Sequence, residues 1–551
     1  MNQERHEPHY AFIKVIDDST TNITTSFTNI LDEDLYESDK APAISDSTDG
    51  ISLTSSTGVI NINKGGVYHI TVSVTYHNSA NGQLDWAIFV NGNVNSGATG
   101  KIGVWTGAVP MERTFQVMLE LTAGDKINVE MKNASGNLRI WKGTTVVINK
   151  IASENYHCST VTTTATTFCG GLPHNPYEVG GHGIAMKTKV HKGITVDTAA
   201  GRPTATVGTF TITQKGKYVF SACSFYSGAS SENIIMDIKV MQNGVAVLTV
   251  SPRVPTTVDP NEYTNFIILD CEVGDNIGME NNWVGLDASA SGTKLQGGSS
   301  LVIYRLLDDS LRRENDLNDS YISVVATAAS ATMAAGSAKN IFKAGNFGSP
   351  SFTTSASNNI SFFPDTGEFK ILEQSDVLSG VYMVNSSALV ASSHATVDIP
   401  QLTGSILVNG VEKIATYPKV EGTVDPSERT ISGLLTLAPG DVVTVTHNNT
   451  TQAGKVMPGT SFALYRIAAI SRRTSAINSL IGEDNVINTY SPDSANEQYI
   501  STVTTNGGGI LKQAPFSLGV RGPMSLRGRG TTHNNLQTDL VIAVKLGDKK
   551  V

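Results

Sequence analysis

The sequence is poor in cysteine, in charge and in long apolar runs. Four cysteines in 551 residues are too few for a disulfide scaffold. We expect Cys158, Cys169, Cys223 and Cys271 to be buried thiols, although Cys158 and Cys169 could pair. Charged residues make up 16% of the chain, against about 25% in ordinary soluble domains. With no run of about 18 apolar residues and a polar opening, we expect neither a membrane span nor a signal peptide.

Motifs of the common enzyme classes are missing as well. The sequence has no phosphate-binding GxxxxGK[ST] loop, no GxSxG nucleophile elbow and no HExxH zinc motif. His157, Cys158, Cys169, His174 and His182 suit zinc by type, but their spacings match no standard zinc site. We therefore predict a non-enzymatic protein with no cofactor and no metal. A net charge of −9 also argues against nucleic acid as a partner.

The chain does contain an internal repeat, marked by three landmarks that recur in the same order. They are Gly-x-Tyr at Tyr68, Tyr218 and Tyr382, Asn-Gly at Asn91, Asn243 and Asn409, and Gly-Asp at Asp125, Asp275 and Asp441. Tyr and Asn are 23, 25 and 27 residues apart, and Asn and Asp are 34, 32 and 32 apart. Each copy also closes on an apolar strand with a basic residue next to last, at Lys150, Arg305 and Arg466. This agreement indicates three tandem units of one fold.

The landmarks predict strands and turns. After Gly-x-Tyr, the residues from Tyr68 to Tyr76 alternate between apolar and polar, which is typical of a half-buried β-strand. Asn-Gly between apolar runs predicts a hairpin with a type I′ turn. We expect each Gly-Asp aspartate to bond nearby backbone N–H groups. The alternative reading, a calcium ligand, is disfavoured because one carboxylate per site is too few.

The fold predicted is all-β, with three tandem jelly-roll β-sandwich domains and a small C-terminal β unit. We place the jelly rolls at 1–152, 153–307 and 320–468, with a charged linker at 308–318. A connector covers 469–498, and the last unit covers 499–551. There the opening and closing strands of the repeat return, but Gly-x-Tyr and Asn-Gly do not. This unit is either a truncated copy or a strand pair that completes another unit or chain.

The order of Gly-x-Tyr, Asn-Gly and Gly-Asp resembles the C1q/tumour-necrosis-factor-like jelly roll. That family shows Gly-x-Tyr and later Leu-x-x-Gly-Asp, which the sequence matches at Leu121–Asp125 and Leu437–Asp441. The second repeat has Cys271 in place of the leucine. The resemblance covers most of the chain and implies homotrimers that bind or scaffold and carry out no chemistry.

Tandem copies of such a domain are similar to bacteriophage virion proteins. The resemblance therefore implies a phage structural protein located in the virion, as a trimeric capsid decoration or head fibre bound to other virion proteins. The first alternative is a tail fibre that binds a host-surface glycan or protein through exposed aromatics such as Trp86, Trp105 and Trp141. Packing in the core is the more common role of such tryptophans. The second alternative is a bacterial C1q-like adhesin.

Charge is distributed unevenly along the chain. Residues 1–50 carry a net charge of −8 and residues 499–551 a net charge of +5. Arg521, Arg527, Arg529 and Lys545 could dock the C-terminal unit onto an acidic capsid surface, with salt-dependent strength. The alternatives left open are a solvated loop and contact with nucleic acid.

Overall fold

The structure is a computed structural model, and most of the residues that it describes lie in antiparallel strands. It describes residues 9–37, 40–78, 82–104, 107–134, 137–151, 156–162, 166–167, 186–196, 210–227, 234–254, 261–284, 294–306, 320–331, 334, 336, 338–344, 352–357, 359–372, 377–392, 402–417, 427–449, 453–471, 488–490, 499–502, 525–529 and 539–543. The chain forms two compact units. The main unit comprises Met1–Gln374 and Gly380–Ala468, and the C-terminal unit comprises Ser375–Ser379 and Ala469–Val551.

The first repeat is a sandwich of two antiparallel sheets. The inner sheet, which we name for its contacts with the other repeats, contains β1 (Tyr10–Lys14), β3 (Ala43–Ser47), β6 (Gly66–Asn78), β9 (Gly107–Leu121), β11 (Leu138–Ile140) and β12 (Thr145–Lys150). The outer sheet contains β2 (Thr28–Asn29), β4 (Ile51–Thr54), β5 (Val59–Ile62), β7 (Gly82–Val90), β8 (Asn93–Val104) and β10 (Lys126–Asn133). Two short 3₁₀ helices lie at Glu33–Leu35 and Ser55–Thr57.

The second repeat has the same two-sheet plan. The inner sheet contains β13 (His157–Thr162), β14 (Thr166–Thr167), β15 (Met186–Lys192), β18 (Gly216–Ser227), β22 (Asn261–Cys271), β24 (Lys294–Leu295) and β25 (Ser300–Arg305). The outer sheet contains β16 (Ile194–Val196), β17 (Phe210–Ile212), β19 (Ile234–Gln242), β20 (Val245–Val250), β21 (Arg253–Val254) and β23 (Asn276–Val284).

The third repeat follows the plan again. The inner sheet contains β26 (Tyr321–Ala326), β28 (Phe352–Ala356), β31 (Val377–Ser392), β34 (Ser427–Leu437), β36 (Gly454–Val456) and β37 (Ser461–Ser471). The outer sheet contains β27 (Ala338–Asn340), β29 (Ile360–Phe363), β30 (Glu368–Ile371), β32 (Leu402–Val408), β33 (Val411–Thr416) and β35 (Val442–Asn449). The all-β, tandem jelly-roll fold class predicted from the sequence is therefore confirmed.

The C-terminal unit has two described strand pairs. They are β38 (Asn488–Tyr490) with β39 (Tyr499–Thr502), and β40 (Ser525–Arg529) with β41 (Asp539–Ala543). The opening strand at Tyr499 and the closing strand near Leu540, which the sequence predicts, are thus both present.

Alternation places Tyr68, Ile70, Val72 and the residues that follow them in the core, where they are buried. The prediction that β6 is only half-buried is wrong, because its other face is buried too. His69, Thr71 and Ser73 on that face are each at most 5% exposed. The His69 imidazole bonds Gln116 and Thr71, and the Ser73 hydroxyl bonds Glu112, so the polar partners on this face are side chains of the same repeat. The His69 ring also packs against Tyr304 of the second repeat, with ring centroids 5.6 Å apart.

The apolar cores are continuous from one repeat to the next. The core of the first repeat includes Phe225 of the second, and the core of the second includes Leu389 of the third. A third cluster joins the core of the third repeat to buried residues of the first two, such as Met118 and Ile268. Burial of apolar surface therefore stabilises the contacts between repeats as well as each sandwich.

Candidate assembly interface

The Asn-Gly and Gly-Asp landmarks meet in space and form one clip in each repeat. Asn91 has φ 52°, as do Asn243 and Asn409, and these are the three non-glycine residues with positive φ in the described part of the chain. Asn91 Nδ2 donates to Asp125 Oδ1 at 2.7 Å. The Lys126 N–H donates to Asn91 Oδ1 at 2.9 Å. The amide therefore ties the hairpin to the turn that begins β10.

The same clip recurs in the other two repeats with nearly the same distances. Asn243 Nδ2 donates to Asp275 Oδ1, and Asn409 Nδ2 donates to Asp441 Oδ1, both at 2.7 Å. In return the N–H of Asn276 donates to Asn243 Oδ1 at 2.9 Å. These two bonds occur in all three repeats, which explains why both landmarks recur with a near-constant spacing.

The second oxygen of each clip aspartate closes its own turn. Asp125 Oδ2 accepts from the N–H of Thr122 at 2.7 Å, and the equivalent distance at Asp275 is 2.9 Å, from Glu272. Partial burial raises the pKa of the Asp125 carboxyl, but the hydrogen bonds from Thr122 and Asn91 outweigh it and leave the pKa below its usual value. Both carboxylate oxygens therefore accept hydrogen bonds within the protein, and the aspartate stabilises its turn.

The glycine of Gly-x-Tyr makes room for the basic residue of the closing strand. A Cβ atom at Gly66, Gly216 or Gly380 would collide with the side chain of Lys150, Arg305 or Arg466, respectively. The tyrosines that follow anchor the turn before the strand. Tyr68 OH donates to the Lys64 carbonyl at 2.5 Å, and Tyr218 OH donates to the Gln214 carbonyl at 2.7 Å.

The three repeats contact one another in a cycle within the main unit. Strand β9 contacts β13, β15 and β25 of the second repeat, β22 contacts β26 and β28 of the third, and β34 contacts β6 and β12 of the first. These three strands all end three residues before the glycine of Gly-Asp, and each contacts the other two. The chain therefore places three equivalent strands around a common centre.

A ring of equivalent side chains lies at this centre. Asn149, Tyr304 and Tyr465 each directly precede the basic residue of their closing strand. All three are buried. The hydroxyls of Tyr304 and Tyr465 hydrogen-bond to each other, and the Asn149 side chain bonds Tyr304. Burial raises the pKa of both tyrosines, so they stay neutral.

Backbone groups at the edge of an inner sheet are satisfied by the next repeat. The Met118 N–H on β9 donates to Ser159 Oγ at 3.2 Å, and the Ile268 N–H on β22 donates to Ser323 Oγ at 3.3 Å. In the first repeat Phe12 takes the place of the serine, and its ring packs over Gly433, where a Cβ atom would be 2.8 Å from it. Edge strands that would pair with other chains are thereby covered.

The boundary between the first and second repeats is polar. Gln116 Oε1 accepts from Ser221 Oγ at 2.8 Å and lies 3.0 Å from His69 Nε2. His69 is fully buried, which lowers its pKa to about 4, although the bond to Gln116 raises it slightly. The imidazole is therefore neutral at pH 7 and can be buried without a charged partner.

Each boundary also contains a glycine turn pressed against its neighbour. Gly143, Gly298 and Gly459 have φ between 90° and 94°. A Cβ atom at Gly143 would be 2.9 Å from the carbonyl oxygen of Ala415 in the third repeat. Glycine is needed at these turns for both conformation and space.

Other residues singled out by the sequence lie elsewhere. Trp86 is buried and stacks on Phe115 at 4.1 Å, so it is a core residue. Trp141 is half-buried, and Trp105 lies outside the residues whose side chains are described. Arg527 and Arg529 lie on β40. Arg521 and Lys545 are outside the described residues.

The predicted buried thiols are present at Cys158, Cys223 and Cys271, which are buried and not joined in disulfide bonds. Burial raises the pKa of Cys158 to about 12, so it is not a reactive thiolate. Cys169, His174 and His182 lie outside the described residues. Within the described part of the chain, no three His, Cys, Asp or Glu side chains are grouped as a metal site. There, too, no helix is long and apolar enough to cross a bilayer.

Sequence reasoning missed the central ring and the polar boundary. The sequence does contain a signal for the ring, because Asn149, Tyr304 and Tyr465 occupy the same position in each repeat, directly before the basic residue of the closing strand. The boundary had none, since Gln116 and Ser221 are 105 residues apart. Pairing between repeats is not encoded by local periodicity.

Comparisons with known proteins give structural matches only. No protein-family model matches the sequence, and no curated protein is similar to it. The Eiger TNF of S. frugiperda is 15% identical with a TM-score of 0.19, over 94% of its chain and 26% of this one. The structure described as the triple jelly roll fold and turret assembly in an archaeal virus is 9% identical with a TM-score of 0.17, over 89% of its chain and 82% of this one. PNGF-II is 9% identical with a TM-score of 0.24, over 98% of its chain and 72% of this one.

These structural neighbours thus include a TNF-like protein and a viral jelly-roll protein. At such TM-scores none of them transfers a function to this chain. Its jelly-roll fold is evident from its own sheets and their antiparallel register.

Proposed function

We propose that the chain is a non-enzymatic structural protein of a bacteriophage particle, as a capsid decoration or head-fibre protein. The observation that carries this proposal is the cyclic packing of the three repeats around β9, β22 and β34. Inner sheets, which C1q/TNF-like domains use to assemble, are directed at each other. The parts of the outer sheets that lie away from the glycine turns remain available for a particle surface, which suits a rigid scaffold.

One chain supplies three jelly rolls, so it is equivalent to a trimer of single domains. We propose that the chain acts as this unit by itself. The homotrimer implied by the family resemblance is the competing proposal. Light scattering separates them, because one chain has a mass of 58.4 kDa and a homotrimer three times that. A mass of three chains at low micromolar concentration would overturn the single-chain proposal.

We assign attachment to the C-terminal unit, whose residues 499–551 carry a net charge of +5. The test uses the full chain with Arg527→Glu and Arg529→Glu, and particles that lack the protein. Co-sedimentation should fall strongly and the wild-type protein should lose binding at high salt. Lys215→Glu, an exposed lysine of the second repeat, is the matched control. Unchanged co-sedimentation of the double variant would overturn this assignment.

Receptor binding, as in a tail fibre, is the second candidate function. The half-buried Trp141 favours it, because aromatic side chains open to solvent are frequent in ligand sites. Copy number distinguishes the two, since a decoration protein is present in hundreds of copies per particle and a tail protein in few.

A further inference from the structure

The boundary between the first and third repeats carries an aromatic surface next to its glycine turn. Trp141 precedes Gly143 by two residues and stacks on His77, with ring centroids 5.9 Å apart and an interplanar angle of 24°. Lys142 is exposed and its Nζ lies 5.3 Å from the ring centroid of Tyr417 in the third repeat. Trp141, His77 and Tyr417 are all half-buried, so each residue keeps some exposed surface.

An exposed aliphatic residue extends this surface. Ile16 is 58% exposed. The neighbouring Val15 carbonyl accepts from the Gly143 N–H at 3.1 Å, which holds Ile16 beside the turn. An exposed apolar area rimmed by polar groups is typical of a binding site.

Polar side chains surround the aromatic surface. Asp18 Oδ1 accepts from the Lys142 N–H at 3.0 Å, and Arg139 Nε donates to Asn22 Oδ1 at 3.0 Å. Asp18 and Arg139 are also close enough to His77 to act on its charge. Donors and acceptors thus converge on the edge of a stacked ring pair.

The turn itself does not require Trp141. Thr144, Ser299 and Thr460 each donate their N–H to the residue three positions earlier, at 3.3 Å, so the three turns are equivalent. The residue at that position is Trp141 in the first turn, but Gln296 and Met457 in the others. Two of the three boundaries therefore form the same turn without an aromatic side chain.

We propose that this boundary binds a carbohydrate, with a pyranose ring stacked on Trp141 and its hydroxyls bonded by Asp18, Arg139 and Lys142. The C–H face of a pyranose is apolar while its rim carries hydroxyls, which matches an indole bordered by both charges. A nucleic acid is disfavoured, since Asp18 at the edge of the ring pair would repel phosphate. The inference does not depend on a virion role.

The test labels the four tryptophans with 5-fluorotryptophan and follows them by ¹⁹F NMR. The probes are methyl glycosides of glucose, galactose, mannose, rhamnose and N-acetylglucosamine, added at millimolar concentrations. We expect the Trp141 signal, assigned by its loss in Trp141→Phe, to shift saturably with at least one probe. The signal of the buried Trp86 should not move.

Variants then separate binding from folding. Trp141→Ala should weaken binding at least about 10-fold, as measured by ligand-observed NMR, while Trp141→Phe should keep part of it. Gln296→Ala and Met457→Ala, at the equivalent turns, should bind like wild type. No saturable shift with any of the five probes would overturn the proposal, as would equal binding by Trp141→Ala. A shift produced by single-stranded DNA and not by sugars would overturn it in favour of nucleic acid.

Discussion

The boundary between the first and second repeats differs in chemistry from that between the second and third, although the same backbone contact forms both. In each, an N–H of the edge strand donates to a serine, Ser159 or Ser323. Two residues before that N–H, the first boundary has Gln116 and the second has Phe266. The Gln116 side chain hydrogen-bonds Ser221, whereas the Phe266 ring stacks on the Tyr465 ring, with ring centroids 6.2 Å apart.

The comparison teaches that backbone geometry and side-chain chemistry have separate roles here. The shared N–H to serine contact places the first repeat against the second and the second against the third in the same way. The divergent side chains make each boundary fit one pair of repeats, since a buried amide opposite an aromatic ring would lack its partner. Mutations of features that the repeats share should therefore change stability equally, whereas mutations of features that differ between boundaries should change it unequally.

The largest effect is expected from Phe266→Ala at the apolar boundary. Removing this buried ring leaves a cavity next to Tyr465 and should lower the free energy of unfolding by about 3–5 kcal/mol. Calorimetry measures the shift. Phe363→Ala, at a ring that is 44% exposed, is the control and should cost well under half as much.

Acid should weaken the polar boundary. His69 has a folded pKa of about 4, below its ordinary value of 6.5, so between these values the unfolded chain takes up a proton that the folded chain does not. Stability is therefore lost as the pH falls from about 6.5 to 4, by on the order of 3 kcal/mol for this residue. His69→Gln should flatten the dependence of the melting temperature on pH over this window.

His447 in the third repeat provides a control for that experiment. It is buried beside Arg429, and its pKa is also lowered to about 4, by burial first and by Arg429 second. His447→Gln should remove a similar part of the pH dependence without changing the boundary. If neither variant alters the profile, burial of neutral histidines is not the cause of acid sensitivity.

Gln116→Ala should destabilise less than Phe266→Ala. It leaves the buried Ser221 hydroxyl and His69 without their shared acceptor, at a cost of about 1–3 kcal/mol. Urea denaturation gives the value. The interpretation would be contradicted if Ser221→Ala in the same background added as much again, because the two changes remove one bond.

The clips should behave alike in all repeats. Asp125→Ala, Asp275→Ala and Asp441→Ala each remove an acceptor for an Asn amide and for a backbone N–H, and each should cost about 1–2 kcal/mol. Differences in melting temperature between the three variants measure how uniform the shared frame is. One variant far outside this range would show that its repeat is held differently.

The smallest effect belongs to the exposed ion pair of Lys215 with Glu272, at 2.6 Å. Both side chains are more than 60% exposed, so Lys215→Ala should change stability by at most about 1 kcal/mol. High salt should reduce even this difference between variant and wild type.

The fold could be predicted where its signals are local. Asn91 with Gly92 marks a hairpin, Asp125 a turn and Tyr68 to Tyr76 a strand, because two or three neighbouring residues fix each conformation. The polar face of β6 was misjudged, since His69 on a strand looks the same whether it faces water or another repeat. The candidate interface depends on partners in different repeats, between 41 and 161 residues apart for the bonds Met118–Ser159 and Tyr304–Tyr465, which alternation and spacing do not reveal.

The cyclic packing of the three repeats has a consequence for dilution. Because the repeats are tethered in one polypeptide, each meets its neighbours at an effective concentration set by the linkers and not by the amount of protein present. Their association then follows unimolecular equilibrium, unlike that of separate subunits, which come apart as they become scarce. The cyclic packing of the three repeats should therefore persist at any dilution of the protein.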